Sequence, residues 1–399
     1  MARVRIVLVL GALSAFGPLS IDLYLPALPK LTTDFGATAW QGQLTLTACI
    51  LGLAAGQLVF GPLTDRLGRR MPLLAGLVAY CAASLACAAA GSIWVLVSLR
   101  FVQGVAGGVG IVVGRSVVRD IASGDAAARL FSILMVVIGV VPVLAPVLGG
   151  QLLRTMSWRG LFVVLAAVDA LILAATALWL RETLPPSRRR TGRETGFGEL
   201  LHDRLFVAYA LVLALGFASL FSYIAGSSFV LQDIYGISPQ LYGVIFGVNA
   251  LGIIASSQIG RSVVGRVGAE RLLLTGVGAQ AVAGSVLLAF VAGGGVGLRG
   301  ILPCFFVTVA SIGLVIPNAT ALAMTDYPHL AGSASALIGA SQFFLGGIAA
   351  PLVGIAGRGT AVPTALLIAG FGVAGLVAAA LARRVPQGVA LPASQAAPR

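Results

Sequence analysis

Long apolar blocks fill most of the chain, and short polar clusters interrupt them at regular intervals. A block of about 20 residues, rising 1.5 Å per residue as a helix, is long enough to cross a hydrocarbon layer of roughly 30 Å. The pattern predicts twelve such helices, over residues 5–29, 41–62, 71–91, 93–118, 128–152, 158–180, 205–231, 239–262, 271–292, 299–323, 332–356 and 362–383. Backbone groups in lipid must bond to one another, so the expected fold class is an all-α membrane protein. The longest polar interruption, "RETLPPSRRRTGRETGFGELLHDR", holds prolines, glycines and arginines that cannot continue a spanning helix. It divides the chain into an N-terminal six-helix bundle (1–184), a cytoplasmic linker (185–204), a C-terminal six-helix bundle (205–385) and a cytoplasmic tail (386–399).

The two halves echo one another. "GPLTDRLGRRMPLLAG" from Gly61 and "RSVVGRVGAERLLLTG" from Arg261 align so that Arg66, Gly68, Leu73, Leu74 and Gly76 fall on Arg266, Gly268, Leu273, Leu274 and Gly276. Paired bundles with a site between them near the midplane are the plan of many secondary transporters, where one bundle rocks against the other. Small residues at helix-packing intervals, Ala48, Gly52 and Gly56 and then Gly104 and Gly108, suit close helix contact in lipid.

Composition sharpens this picture. The 399 residues are 58% hydrophobic and 10% charged, with a mean hydropathy of +1.01, outside the range of soluble domains. A net charge of +13 would suit a nucleic-acid partner, but the basic residues sit in short clusters between apolar blocks and read as topology signals. Only Lys30, Arg154, Arg159, Arg299 and Arg358 fall on one side, and Arg100 and Arg115 fall within the membrane. The remaining basic residues share the side of both termini, which predicts cytoplasmic termini. Nothing at the N-terminus resembles a cleavable signal peptide. The cysteines Cys49, Cys81, Cys87 and Cys304 lie in apolar blocks without CxxC spacing, and His202 and His329 lie in loops, so no metal site is expected.

Charges inside the apolar blocks carry the candidate chemistry. Asp22 lies in "SIDLYLPALP", where an unpaired charge costs at least several kcal/mol and so faces the protein interior or a water-filled cavity. Counting from the helix ends, Asp22 and Arg100 lie at similar depth, roughly 10 Å below the same surface, which predicts that they pair. Pro26 takes away the bond to the Asp22 carbonyl, so the backbone there should kink. Such a carboxylate either switches proton affinity as the helices move or forms a static bridge. Asp169 is a second midmembrane acid, and Arg115, Arg119 and Asp120 sit at the inner end of the fourth helix, where snorkelling is expected. No Ser/His/Asp set or phosphate loop points to an enzyme.

Several motifs carry a family resemblance. "GPLTDRLGRR" resembles the loop between the second and third helices of the major facilitator superfamily, through Gly61, Leu63, Asp65, Arg66, Gly68, Arg69 and Arg70. "RFVQGVAGG" resembles its fourth-helix motif through Arg100, Gln103 and Gly104. "GVVPVLAPVLGG" is similar to its antiporter signature through Gly139, Pro146, Gly149 and Gly150, with Ala145 where glycine is usual. The set "PLSIDLYLPALP", "RETLPPSRR" and "YPHLAGSASALIG" looks like the bicyclomycin and chloramphenicol resistance branch of the drug/proton antiporters, over about residues 5–385.

The resemblance implies a monomeric exporter of the bacterial inner membrane, without cofactors, that exchanges a small drug for protons. Asp22 would carry the proton beside Arg100, and residues 61–70 would latch the cytoplasmic side. Because the second-half loop has Gly265 in place of Asp65, its latch should be weaker. Residue chemistry suggests a mostly apolar pocket with Tyr24, Gln103, Phe221, Tyr223, Asn318, Gln342 and Phe343 as candidate lining. A metabolite exporter or importer of the same fold, or a passive channel or sensor, remains an alternative expectation.

Overall fold

The computed structural model describes residues 2–122, 124–185, 187, 197–294, 297–327, 330–357 and 359–384. The expected tail and the middle of the linker, with His329 and Arg358, lie outside them. The described chain is helical throughout. α1 is broken into Ala2–Ser14, Phe16–Asp22 and, beyond a turn of 3₁₀ helix at Leu25–Ala27, Leu28–Asp34. Then follow α2 (Ala39–Leu67), α3 (Arg70–Ala88), α4 (Ile93–Ile121), α5 (Gly124–Leu152), α6 (Trp158–Trp179), α7 (Arg204–Phe229), α8 (Pro239–Val267), α9 (Ala269–Ala292), α10 (Leu298–Met324), α11 (Ala331–Leu352) and α12 (Val362–Ala382). A short helix, Phe197–His202, precedes α7 inside the expected linker.

Among the described residues ten helices are long and apolar enough to cross a membrane, and α1 makes an eleventh if its two pieces, bent by 45°, count as one span. The twelfth expected span is α5, a continuous helix through Pro142 and Pro146. α1 to α6 pack together as one bundle and α7 to α12 as a second, joined chiefly by α5 against α8 and α2 against α11.

Proline accounts for the shape of α1. Pro18 cannot bond to the Ser14 carbonyl, and the helix bends there, a break the hydropathy pattern does not reveal. Pro26 ends the second piece at Asp22, as expected from its missing N–H. The loop motif is shorter than expected: α2 runs on to Leu67, so Gly61 to Leu67 are helical and the turn is Gly68 and Arg69 alone. Gly68 takes φ +97°, which favours glycine, whereas a Cβ on Gly61 would meet nothing, so Gly61 forms no turn.

Hydrogen bonds that cross between the bundles include Gln43 Nε2 to the Ala225 carbonyl (3.2 Å), Thr47 Oγ1 to Gly347 (2.8 Å) and Gln240 Nε2 to Gly150 (2.9 Å). All three lie toward the end opposite the termini. A Cβ on Gly150 would come within 2.6 Å of the Pro239 carbonyl, and Gly149 and Gly243 abut the carbonyls of Leu23 and Pro146 more closely still. The bundles therefore close on one another at that far end through bare backbone. Of the antiporter signature, Gly150 and the Pro146 carbonyl make this seal, Gly149 packs within the N-terminal bundle against Leu23, Ala145 is buried, and Gly139 meets only the Ile254 side chain at 3.8 Å.

Candidate functional site

Between the bundles lies a cavity of about 260 Å³. α1 contributes Ser14, Gly17, Pro18, Ile21 and Asp22, a run of i, i+3, i+4, i+7 and i+8 positions that marks one helix face. Across from it stand Phe217, Phe221 and Tyr223 of α7 and Phe246 of α8. Asp22 is 5% exposed, and among the described residues neither a hydrogen bond nor an ion pair engages it.

The expected Asp22 to Arg100 pair does not form, and helical geometry gives the reason. Arg100 Nη2 donates instead to the Ser20 carbonyl at 2.7 Å. At 3.6 residues per turn, positions two apart point about 200° away from each other, so with Ser20 on the α4 side Asp22 is turned to the cavity. Matching depth was insufficient; the faces differ. Arg100 is fully buried in neutral company: Nη1 donates to Gln103 Oε1 at 2.5 Å, and the guanidinium lies 4.5 Å from the Tyr24 ring and 5.6 Å from that of Phe162. A desolvated cation over an aromatic face gains about 2 kcal/mol. Its Nε has no partner, so this charge is incompletely compensated. Gln103 passes the network on to Ser84 Oγ at 2.7 Å, and Ser20 Oγ meets Tyr80 OH at 2.5 Å.

Of the residues expected to line the pocket, Phe221, Tyr223 and Phe343 do so. Tyr24 and Gln103 do not, because both serve Arg100, Tyr24 also bonding Thr45 Oγ1 at 2.9 Å. Asn318 turns back to donate to the Leu314 carbonyl at 2.7 Å, and Gln342 is half-buried off the cavity wall. Phe344 points outward, 59% exposed. Sequence reasoning missed Asn249, whose Nδ2 donates to Tyr223 OH at 2.8 Å and fixes that hydroxyl at the cavity wall. A polar residue in an apolar helix was the available signal. Arg115, expected to snorkel, lines the cavity. Asp169 is buried in α6 with both carboxylate oxygens unpartnered, so it bonds no neighbouring helix.

The loop at residues 61–70 is tied within its own bundle. Arg69 Nη1 reaches Asp65 Oδ1 at 2.5 Å and Thr64 Oγ1 at 3.1 Å, and its Nε reaches Asp120 Oδ2 at 3.1 Å. Asp120 also accepts from Thr183 Oγ1 at 2.9 Å, so it is a structural partner of the loop, not a snorkelling group. Arg70 donates to the carbonyls of Leu180 and Ala177, both at 3.0 Å, while Arg66 is exposed. Glu182, just past α6, takes the Arg69 N–H at 2.9 Å and the Arg70 N–H at 3.1 Å, capping the start of α3. Burial pushes its carboxyl up, but the N–H donors of Leu184, Arg69, Arg70 and Thr183 outweigh burial and hold it below the usual carboxylate range.

Two related bundles of membrane helices, enclosing a largely apolar cavity with one acid and sealed at one end, have the architecture of a multi-pass membrane transporter. The chain belongs to the Major Facilitator Superfamily, whose sequence profile matches residues 9–351. It is 41% identical over 368 residues to "Uncharacterized MFS-type transporter YdgK" of Bacillus subtilis (strain 168), covering 90% of this chain and 91% of the relative. It is 30% identical to "Bicyclomycin resistance protein homolog" of Haemophilus influenzae (90% of each chain) and 31% identical to "Chloramphenicol resistance protein" of Pseudomonas aeruginosa (86% and 81%). The fold matches the crystal structure of a bacterial homolog to the human lysosomal transporter Spinster, in an inward-facing and occupied conformation. The TM-score is 0.77 at 15% identity, over 96% of this chain and 97% of that one.

Proposed function

We propose that this transporter is a proton-coupled exporter of small, largely apolar drugs, of the bicyclomycin or chloramphenicol kind, in the bacterial inner membrane. The observation that carries the reading is Asp22, a buried carboxylate without a partner among the described residues, on the wall of a largely apolar cavity between the bundles. Relatives named for bicyclomycin and chloramphenicol resistance support it. The basic-residue asymmetry supports cytoplasmic termini, so the cavity would open to the cytoplasm with the periplasmic side sealed.

In this state Asp22 exchanges its proton with the cytoplasm as the drug arrives, and Arg100 acts one turn away. By gripping the Ser20 carbonyl, Arg100 holds in place the short helix that ends at Asp22. In the opposite state, with the far end open, Asp22 is reloaded from outside. At a proton-motive force of ~150 mV each proton supplies roughly 3.5 kcal/mol, from about 2.3 kcal/mol per 100 mV. That supports a gradient of a few hundredfold, on the order of RT ln K at 1.4 kcal/mol per decade, for a neutral drug exchanged one for one.

Everted vesicles loaded through a proton gradient test this. Wild type should accumulate a neutral drug such as chloramphenicol against its gradient and lose it on addition of an uncoupler, and Asp22→Asn should reduce accumulation to that of empty vesicles. Proton-independent uptake in wild type, or full accumulation by Asp22→Asn, would sink the reading.

A further inference from the structure

The cavity has two polar ends, and the proton-coupling reading uses only one of them. At the closed end stand Asp22 and Tyr223, the latter held by Asn249. Toward the termini stand Arg115, Gln57 and Ser14. Between them the wall is apolar and aromatic, with Phe217, Phe221, Phe246 and Phe343.

Arg115 differs from the other charged residues at this end of α4. Arg119 reaches Ser116 Oγ at 3.4 Å, and Asp120 is taken up by Arg69 and Thr183. Among the described residues no hydrogen bond or ion pair engages the Arg115 guanidinium, and it is exposed on the cavity wall. Among them it has no counter-ion. Ser14 Oγ is spent on the Leu10 carbonyl at 2.9 Å, and Gln57 Nε2 on Leu53 at 3.2 Å.

The two charged ends are separated by a measurable register. A Cβ on Gly114 would lie 3.8 Å from the Leu10 carbonyl, so Arg115 stands level with Leu10, twelve residues before Asp22. At 1.5 Å per residue that is about 18 Å of helix, and a long arginine side chain turned into the cavity leaves on the order of 10 Å between the charged heads.

We propose that Arg115 is a substrate-binding residue, and that the cavity prefers bipolar aromatic molecules: a cationic or donor group set toward Asp22, and a carboxylate or comparable acceptor bound by the Arg115 guanidinium. A planar guanidinium binds a carboxylate through two parallel N–H bonds, so it recognises this end by shape as well as charge. A monocation lacking the acid places its apolar tail against an unpaired cation, which costs affinity. The inference rests on reading the inter-bundle cavity as the drug site, and it adds a second charge requirement to that site.

Rhodamine 110 and its methyl ester, rhodamine 123, test it. They share one aromatic scaffold and cationic amine system, and only rhodamine 110 has a free carboxylate. Binding of each to the purified full-length protein in detergent is read by fluorescence polarisation at pH 7, as the ratio of the two affinities. Arg115→Gln should lower the rhodamine 110 to rhodamine 123 ratio at least tenfold. Arg115→Lys, which keeps the charge and guards against misfolding of the Gln variant, should keep most of it. Arg119→Gln, which removes a like charge off the cavity wall, should leave the wild-type ratio. An unchanged ratio in Arg115→Gln overturns the proposal, as does an equal fall in Arg119→Gln, which would assign the effect to the general field. Wild-type protein that binds rhodamine 123 but not rhodamine 110 overturns it while leaving the drug-export reading standing. Failure to bind either dye overturns both.

Discussion

A Cβ placed on Gly108 of α4 would lie 2.9 Å from the backbone nitrogen of Gln57 in α2; one placed on Gly313 of α10 would lie 2.9 Å from that of Ser257 in α8. The neighbouring crossings agree. Gly76 of α3 faces the Ala106 carbonyl at 3.4 Å, and Gly276 of α9 faces that of Ser311 at 3.2 Å. The turns match as well, with Gly68 at φ +97° and Gly268 at φ +88°. The N-terminal and C-terminal bundles are thus one scaffold used twice. What they bury differs. Eight residues before Gly108 comes Arg100, its guanidinium 4.5 Å from the Tyr24 ring; eight before Gly313 comes Phe305, its ring 5.1 Å from that of Tyr223. Two hundred residues after Asp22 comes Ser222, which bonds its own helix at the Ala218 carbonyl, 2.8 Å away. One bundle holds fixed and titratable charge, and the other supplies an aromatic wall, which fits a division between proton handling and substrate packing.

The sharpest way to break that comparison is to exchange the characters of the paired positions. Arg100→Ala leaves the Ser20 carbonyl and Gln103 Oε1 buried without their donor, and each buried acceptor left unsatisfied costs about 1–3 kcal/mol. The thermal midpoint in detergent should fall markedly, and proton-driven accumulation in everted vesicles should disappear. Phe305→Leu keeps an apolar side chain of similar volume and should cost about 1 kcal/mol or less, with transport retained within a few-fold. Equal loss of transport in both variants would end the division of labour.

A second pair tests the shared scaffold. Gly108→Ala and Gly313→Ala each force a methyl group against backbone, and overpacking of this kind costs about 1–3 kcal/mol. Both losses should appear as midpoint shifts, the Gly313 one larger because its Cβ would also press, more closely still, against the Ile253 carbonyl. A large loss at one site and none at the other would mean that the bundles tolerate helix separation differently.

How much of this was readable beforehand depends on the kind of interaction. The spans were legible because lipid imposes a length and a composition on each, and Asp22 was conspicuous because charge is rare there. Its orientation was not. Depth follows from counting residues, but the choice between the Ser20 face and the Asp22 face depends on how α1 is rotated against α4, which tertiary packing sets. Pro18 was visible in the sequence, yet its 45° bend is a matter of backbone hydrogen bonding inside an unbroken apolar run. Arg115 was read as snorkelling because its sequence position fits that equally well; only the placement of α7 and α8 across from it makes a cavity. Glu182 belonged to a quoted motif, but its role requires the start of α3 and the end of α6 to meet.

That last contact gives the smallest effect and a contrast in pH. An acid meets the start of the third helix in each bundle: Glu182, from beyond α6, takes backbone N–H groups at the start of α3, whereas Glu270, in the first turn of α9, meets Arg383 Nε at 2.6 Å with both side chains largely exposed, 42% and 55%. Glu182 is held below the usual carboxylate range by the backbone donors that outweigh its burial. A depressed carboxyl stabilises the fold fully above its unfolded value, about 4.3, and loses that contribution as pH falls through the lower folded value. Glu182→Gln should therefore cost about 1 kcal/mol at pH 7, a charged group at a helix start discounted for solvent, and the difference from wild type should shrink as the pH drops below about 4. Glu270→Gln removes a solvent-screened pair and should change the midpoint by no more than about 0.5 kcal/mol. Adding 1 M salt at pH 7 separates the two further, because it screens the exposed Glu270 to Arg383 pair and leaves the directional N–H bonds of Glu182 largely in place. If Glu270→Gln proved the costlier variant, the second loop would be the stronger latch, and the asymmetry drawn from the lost acid at Gly265 would have to be reversed.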